Sequence, residues 1–241
     1  MVRDFFERLD ETLTTLQGAA GDTALRIETL PSVAIKWLVP RLQRFSEAHP
    51  EAEVWLGTNI FESVLFEGSD ADIAIHMSRG SYPGYDSELL MTETVMPVCR
   101  PRFLEEHGTP TDPVDLCRFP LLLRYHEILT LTWEFWFRRA GVDEAVYGPA
   151  LSAGIRFPNS ATALQAAFEG QGIALGRGVH VWDDLRSGRL VRLFPEVDSS
   201  FELSYYLVSP RGRLARPVVA AFRDWVIDEG RRFEAEVRAA T

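Results

Sequence analysis

Apolar residues along this chain fall into two rhythms. In residues 2 to 17 Phe5, Phe6, Leu9, Leu13 and Leu16 recur at steps of three and four, with Arg3, Glu7, Arg8, Asp10 and Glu11 between them, which predicts an amphipathic helix. It ends at Gly18, and GAAGD reads as a short linker. Such a stripe packs either on the chain's own body or on a partner chain. From residue 24 the rhythm changes. LRIETL (25 to 30) is a short β run, Pro31-Ser32 supplies a turn and an N-cap, and residues 33 to 48 carry Ile35, Leu38, Leu42 and Phe45 at helical spacing. Pro40 lies inside that stretch, where its missing donor should bend the helix. EVWLGT (53 to 58) predicts a strand, residues 60 to 67 a helix, and DIAIHM (72 to 77) a strand apolar enough for the interior of a parallel sheet. Strands separated by helices imply right-handed β-α-β crossovers, hence an α/β fold.

After the strand ETVMPVC (93 to 99) the pattern restarts. PRFLEEHG is helical, PVDLCRFPLLLRYH holds a short helix and a strand, and TWEFWFRRAG is a tryptophan-rich helix. SAGIRF (152 to 157) and GIALGR (172 to 177) read as strands, SATALQAAFEG (160 to 170) and HVWDDLRSG (180 to 188) as helices. SYYLVSP (204 to 210) is a strand, and residues 216 to 233 form a final helix with Val219, Phe222, Val226 and Ile227 on one face. A second lobe is expected from this restart.

Composition narrows the function. With 46% hydrophobic and 25% charged residues the chain is ordinary for a globular protein, yet its net charge is -10 and Lys36 is its single lysine. Phosphate backbones are held by Lys and Arg that release counterions, so direct nucleic-acid binding by this chain is not expected. No apolar run is long enough to span a bilayer, and charges interrupt the N-terminus where a signal peptide would be apolar. The expectation is a cytoplasmic protein without membrane contact. Cys99 and Cys117 have neither CxxC nor zinc spacing and read as core filler.

No nucleophile elbow, P-loop or HExxH motif is present, and the five histidines are scattered, so neither catalysis nor a metal or cofactor is expected. GQGIALG looks like part of a dinucleotide-binding glycine run, but it leaves a helix and enters a strand, the reverse of that fingerprint. Strand ends that run into polar helix starts are more informative. In open α/β sheets solutes settle at the carboxyl ends of strands, where helix N-termini present free N–H groups to an anion. Ser32 follows the first strand, Thr58 and Asn59 the second, and Asn159 and Ser160 the strand of the second lobe. Taken singly, each reads first as a plain N-cap that stabilises its own helix. Their recurrence in two lobes points to a shared cleft. His76 ends the third strand and is expected near the same cleft, as a conditional donor or a satisfied core histidine. Trp133, Phe135, Trp136 and Phe137 read as a packed helix face, and Arg138-Arg139 as a solvated helix end.

The segments LRIETLPSVAIKWLVPRLQRFSEAHPEAEVWLGTN, DADIAIHMSRGSYPGY, PVCRP, FPNSATALQAAFEGQGIALGR, SGRLVRLF and LVSPRG with AFRDWV resemble, in order and spacing, the effector-binding domain of LysR-type transcriptional regulators over about residues 24 to 230. The phrasing is closest to the branch containing the glycine-cleavage activator and the β-lactamase regulator. The resemblance implies a periplasmic-binding-protein-like (type II) α/β fold, two α/β lobes joined by two crossover strands near Met96 to Cys99 and Ser204 to Leu207. Lobe I would be residues 24–98 plus 207–241, lobe II 99–206, and 1–22 a linker-helix remnant. By the same resemblance the effector contacts fall on Ser32, Val33, Thr58 and the segment Pro158, Asn159 and Ser160. The implied partners are a small-molecule effector, an amino acid or other carboxylate, and further copies in a homodimer or homotetramer that uses helices 33 to 48 and 160 to 170. DNA would be reached only through a helix-turn-helix domain absent here. The alternative is a solute-binding protein of a transport system, which shares the fold.

Overall fold

In a computed structural model the described residues are 23–59, 66, 68–125, 132–197 and 200–239. The expected helix 2 to 17 lies outside them, as does nearly all of the helix expected over 60 to 67. Two five-stranded sheets organise the rest. In the first, β1 (Ala24–Thr29) runs parallel to β2 (Glu53–Thr58) and β3 (Ile73–Ser78), while β10 (Ser204–Pro210) lies antiparallel between β3 and β4 (Tyr85–Met91). In the second, β6 (Leu121–Arg124) is parallel to β7 (Arg156–Phe157) and β8 (Ile173–Arg177), and β5 (Val95–Cys99) is antiparallel to β8 and β9 (Val191–Arg192). The segments expected as crossovers lie within β5 and β10, each paired inside one sheet. The chain passes between sheets at 92–94 and again at 193–203.

Helix α1 is one run built of Pro31–Val33, a π-helical stretch Ala34–Leu38, and Val39–Ala48. Pro40 explains the wide turn. Its ring occupies the space of a regular i→i−4 bond, and the chain loosens one turn earlier, where Val39 N–H reaches back to the carbonyl of Ala34. Trp37, Leu38 and Phe45 are buried between β1, β3 and the last helix, α7 (Pro217–Ala239). Phe45 meets Phe222 edge-on at 5.3 Å between ring centres and Trp225 at the same distance. Gly230 lets α7 lie against β4, since a Cβ there would stand 2.6 Å from the Leu90 carbonyl oxygen.

The second lobe holds α2 (Pro101–His107), α3 (Trp133–Arg139), α4 (Glu144–Ser152), α5 (Ser160–Phe168) and α6 (Gly178–Arg186). Trp133, Trp136 and Phe137 are core residues, and Arg138 and Arg139 face water. Helix α4 was not legible in the sequence because Pro149 breaks its pattern. It claims Ser152, so the strand expected over 152 to 157 shrinks to Arg156–Phe157. Cys99 is buried and Cys117 half-buried, both as free thiols.

Helix α6 belongs to both cores. Val181 and Leu185 pack toward the second sheet, whereas Val179 and Trp182 join the cluster of the first. Its charged positions finish the joint. Lys36 Nζ lies 3.2 Å from Asp184, Arg41 grips Asp183 at 3.0 and 3.2 Å, and Trp182 Nε1 and Arg186 reach Glu236 of α7 at 3.2 and 2.6 Å.

Candidate functional site

The strand-to-helix corner Leu30-Pro31-Ser32 delivers Ser32 to the line where the lobes meet. It does not cap its own helix: the N-cap position is Leu30, and Ser32 lies within the first turn, only 6% exposed. Its Oγ instead accepts the backbone N–H of Ala161, 3.2 Å away at the start of α5. A helix start leaves N–H groups without intrahelical partners, and here one partner comes from the opposite lobe. Asn159 is the N-cap of α5, its Oδ1 accepting the Thr162 N–H at 3.0 Å. Ser160 is buried, with the Arg124 guanidinium 3.4 Å from its hydroxyl. Val33 packs in the first core, and Pro158 is exposed beside the seam.

Thr58 and Asn59 are also exposed, at the end of the edge strand β2, where Thr58 is in register with Thr29 and Asn59 N–H bonds the Thr29 carbonyl. The structure therefore brings Ser32, Asn159 and Ser160 together and leaves Thr58 and Asn59 one strand away. His76 is placed elsewhere. Side chains alternate along a strand, and on β3 it is Met77 that points to the seam; His76 faces the other side, its Nδ1 2.7 Å from the Tyr82 hydroxyl.

Deeper in the seam lies a buried polar cluster that the sequence reading missed. Tyr205 of β10 donates to Glu93 Oε2 at 2.7 Å and stands 3.3 Å from His180 Nε2. The other Glu93 oxygen accepts the backbone N–H groups of Thr94 and Val179, at 2.9 and 3.4 Å. Arg177, at the junction of β8 and α6, extends its Nη1 to within 3.7 Å of Met77 Sδ. Gly178 allows this close approach, since a Cβ there would stand 2.3 Å from the Thr94 hydroxyl oxygen. Burial pushes the Glu93 carboxyl up, against the pull of Arg177. The His180 ring is held well below its ordinary value, by burial first and then by the charges of Arg177, Arg124 and Lys36. An arginine closing the apolar run IALGR was the one visible signal; Glu93 opens the expected strand ETVMPVC, and the structure places it just ahead of β5.

Three helix starts thus converge on the seam, those of α1, α5 and α6, with three cations nearby. Such a place suits a small polar solute, preferably an anion. Among the described residues no group of His, Cys, Asp and Glu is arranged to hold a metal ion.

Comparison with known proteins decides the family. Residues 19–231 match the family described as the LysR substrate binding domain. The chain belongs to that family. A glycine cleavage system transcriptional activator of Escherichia coli (strain K12) is 34% identical over 227 residues, covering 94% of this chain and 71% of the relative. The transcriptional activator AmpR of Citrobacter koseri is 27% identical, covering 94% and 74%. Among solved structures, the effector domain of AmpR from Pseudomonas aeruginosa superposes with a TM-score of 0.71 at 26% identity, over 88% of this chain and 98% of that one. This LysR substrate-binding domain has the periplasmic-binding-protein-like α/β fold and is a ligand-sensing domain of transcription regulation. The relatives named are transcription regulators, not transport proteins or enzymes.

Proposed function

We propose that this domain senses a small polar metabolite, an amino acid or other carboxylate, bound in the seam between the lobes, and reports it by altering how copies of the chain associate. The observation that carries the reading is the Ser32 to Ala161 hydrogen bond, one lobe's hydroxyl on the other lobe's helix start. A solute carboxylate arriving there competes for the same N–H, so occupancy is tied to the fit between the lobes. A ligand shifts such an equilibrium only by its difference in affinity for the two arrangements, and a few kcal/mol suffices.

Association as a homodimer or homotetramer is supported by α1, which exposes Ile35 (57%) and Val39 (52%) one turn apart, while Trp37 and Leu38 are buried. The setting is the cytoplasm, and DNA is contacted by the helix-turn-helix module of the regulator rather than by this acidic domain. Among the described residues no helix is long and apolar enough to cross a membrane.

A thermal-denaturation screen against amino acids and organic acids tests the reading, because a bound solute stabilises by RT ln(1 + [L]/Kd). Each hit is then titrated by calorimetry into Ser32→Ala and Asn159→Ala. Weakened binding is expected, and unchanged affinity in both variants removes the seam as the site.

A further inference from the structure

We propose that Arg177 is the anion-recognising residue of the seam, its guanidinium, beside the His180 ring, taking a carboxylate or other oxyanion of the bound solute. The proposal rests on the seam being the ligand site and adds which residue reads the ligand's charge. The polar helix starts that drew attention in the sequence are already occupied: Asn159 caps Thr162, and Ser32 caps Ala161. Arg177 is only partly engaged. It is 5% exposed and shares the Tyr205 hydroxyl with Glu93, but its Nε is buried without a hydrogen-bond partner among the described residues and its Nη1 lies 3.7 Å from the Met77 thioether.

A guanidinium carries five N–H donors and keeps its charge at any pH a protein tolerates, so a buried one calls for oxygen acceptors. Glu93 offsets part of the charge through space, but its carboxylate oxygens are engaged by Tyr205, Thr94 and Val179. His180 repeats the pattern: 2% exposed, it has Nε2 beside Tyr205 and Nδ1 buried with no partner. Two neighbouring polar side chains with unspent capacity therefore sit at the junction of β8 and α6, sealed by the lobe contact. The surroundings select for negative charge, since Lys36, Arg124 and Arg177 all depress His180. An anion reaches Arg177 when the lobes part at Ser32, and its oxygens then fill the fork in the bidentate manner guanidinium favours.

The test uses the whole chain and simple probes at matched ionic strength: acetate, succinate, inorganic phosphate and sulfate, with acetamide and succinamide as neutral counterparts and chloride as the salt control. Melting temperatures and calorimetric affinities are measured for wild type, Arg177→Met, Arg177→Lys and Ser32→Ala. The expected result is stabilisation of wild type by at least one oxyanion and not by its amide, with affinity reduced by about tenfold or more in Arg177→Met. Arg177→Lys, which keeps the charge but not the fork, is expected to fall between them and covers the case in which the methionine variant does not fold. A carboxylate preference identifies an organic acid, and a phosphate or sulfate preference an inorganic or ester oxyanion. Equal anion affinity in wild type and both Arg177 variants overturns the proposal, as does the absence of any oxyanion-specific effect. If Ser32→Ala weakens a solute that the Arg177 variants bind normally, the seam reading stands and the role of Arg177 falls.

Discussion

Lys36, the chain's single lysine, spans the two lobes to reach Asp184 with its Nζ 3.2 Å from the carboxylate, and its ammonium also sits 4.6 Å from the centre of the Phe168 ring. It is one helical turn from Ser32, so the helix that offers a hydroxyl to α5 also anchors α6. Asp184 additionally holds Arg189 and is almost wholly buried. Buried pairs differ from surface pairs because removing one member strands the other. In a double-mutant cycle of Lys36→Met and Asp184→Asn, read by urea denaturation, a coupling of about 1 kcal/mol or more is expected. The exposed pair Arg102 with Glu106 is expected to give under about 0.5 kcal/mol. Equal couplings would show that the Lys36 contact is no more than a surface ion pair.

Ser32→Ala removes the hydroxyl that satisfies the Ala161 N–H and leaves that group buried. The expected loss is about 1–3 kcal/mol of unfolding free energy. Ser46→Ala is the control, since its hydroxyl bonds the Leu42 carbonyl on an exposed face of the same helix. A difference between the two variants within experimental error would contradict the cross-lobe cap.

The buried cluster gives stability opposite dependences on pH. His180 is lowered in the folded state, so its contribution is full above its ordinary value near 6.5 and declines as the pH falls below it. Glu93 is raised, so its contribution is full below the usual carboxylate range and is lost as the pH climbs through the elevated value. Urea midpoints recorded from about pH 5 to 8 should therefore decline less on the acid side in His180→Gln and less on the alkaline side in Glu93→Gln. Parallel curves for wild type and both variants would mean that neither group titrates differently on folding.

The two thiols should separate kinetically. Burial pushes the Cys99 thiol up to about 12 in the folded chain, and Cys117 is raised but only half-buried. With a thiol reagent near neutral pH, Cys117 is expected to react first and Cys99 only at the rate of opening, since the thiolate is the reactive form. Prompt labelling of both in native protein would contradict this packing.

How much of this was legible beforehand depends on the range of the forces involved. Strands such as 25 to 30 and 72 to 77 carried their own apolar runs, and helix 160 to 170 its own N-cap, so local pattern located them. Helix α4 was hidden by Pro149, and the wide turn of α1 arises from Pro40 acting on the turn before it. Ser32 reads locally as an N-cap of its own helix, but Leu30 holds that position and the serine's partner is 129 residues away, a pairing no local pattern encodes. Glu93, Arg177, His180 and Tyr205 come from three strands or their flanks and one helix, and only the meeting of two sheets makes them neighbours.

The π-helical stretch Ala34–Leu38 leaves Ser32 and Lys36 phased for one neighbour and Phe45 for another. Excising a single residue there to restore an ordinary helix would rotate everything upstream by about 100° relative to everything downstream. Phe45 could keep its aromatic contacts while the serine and the lysine swung off the seam, leaving a well-folded first lobe whose sensing surface no longer addresses the second.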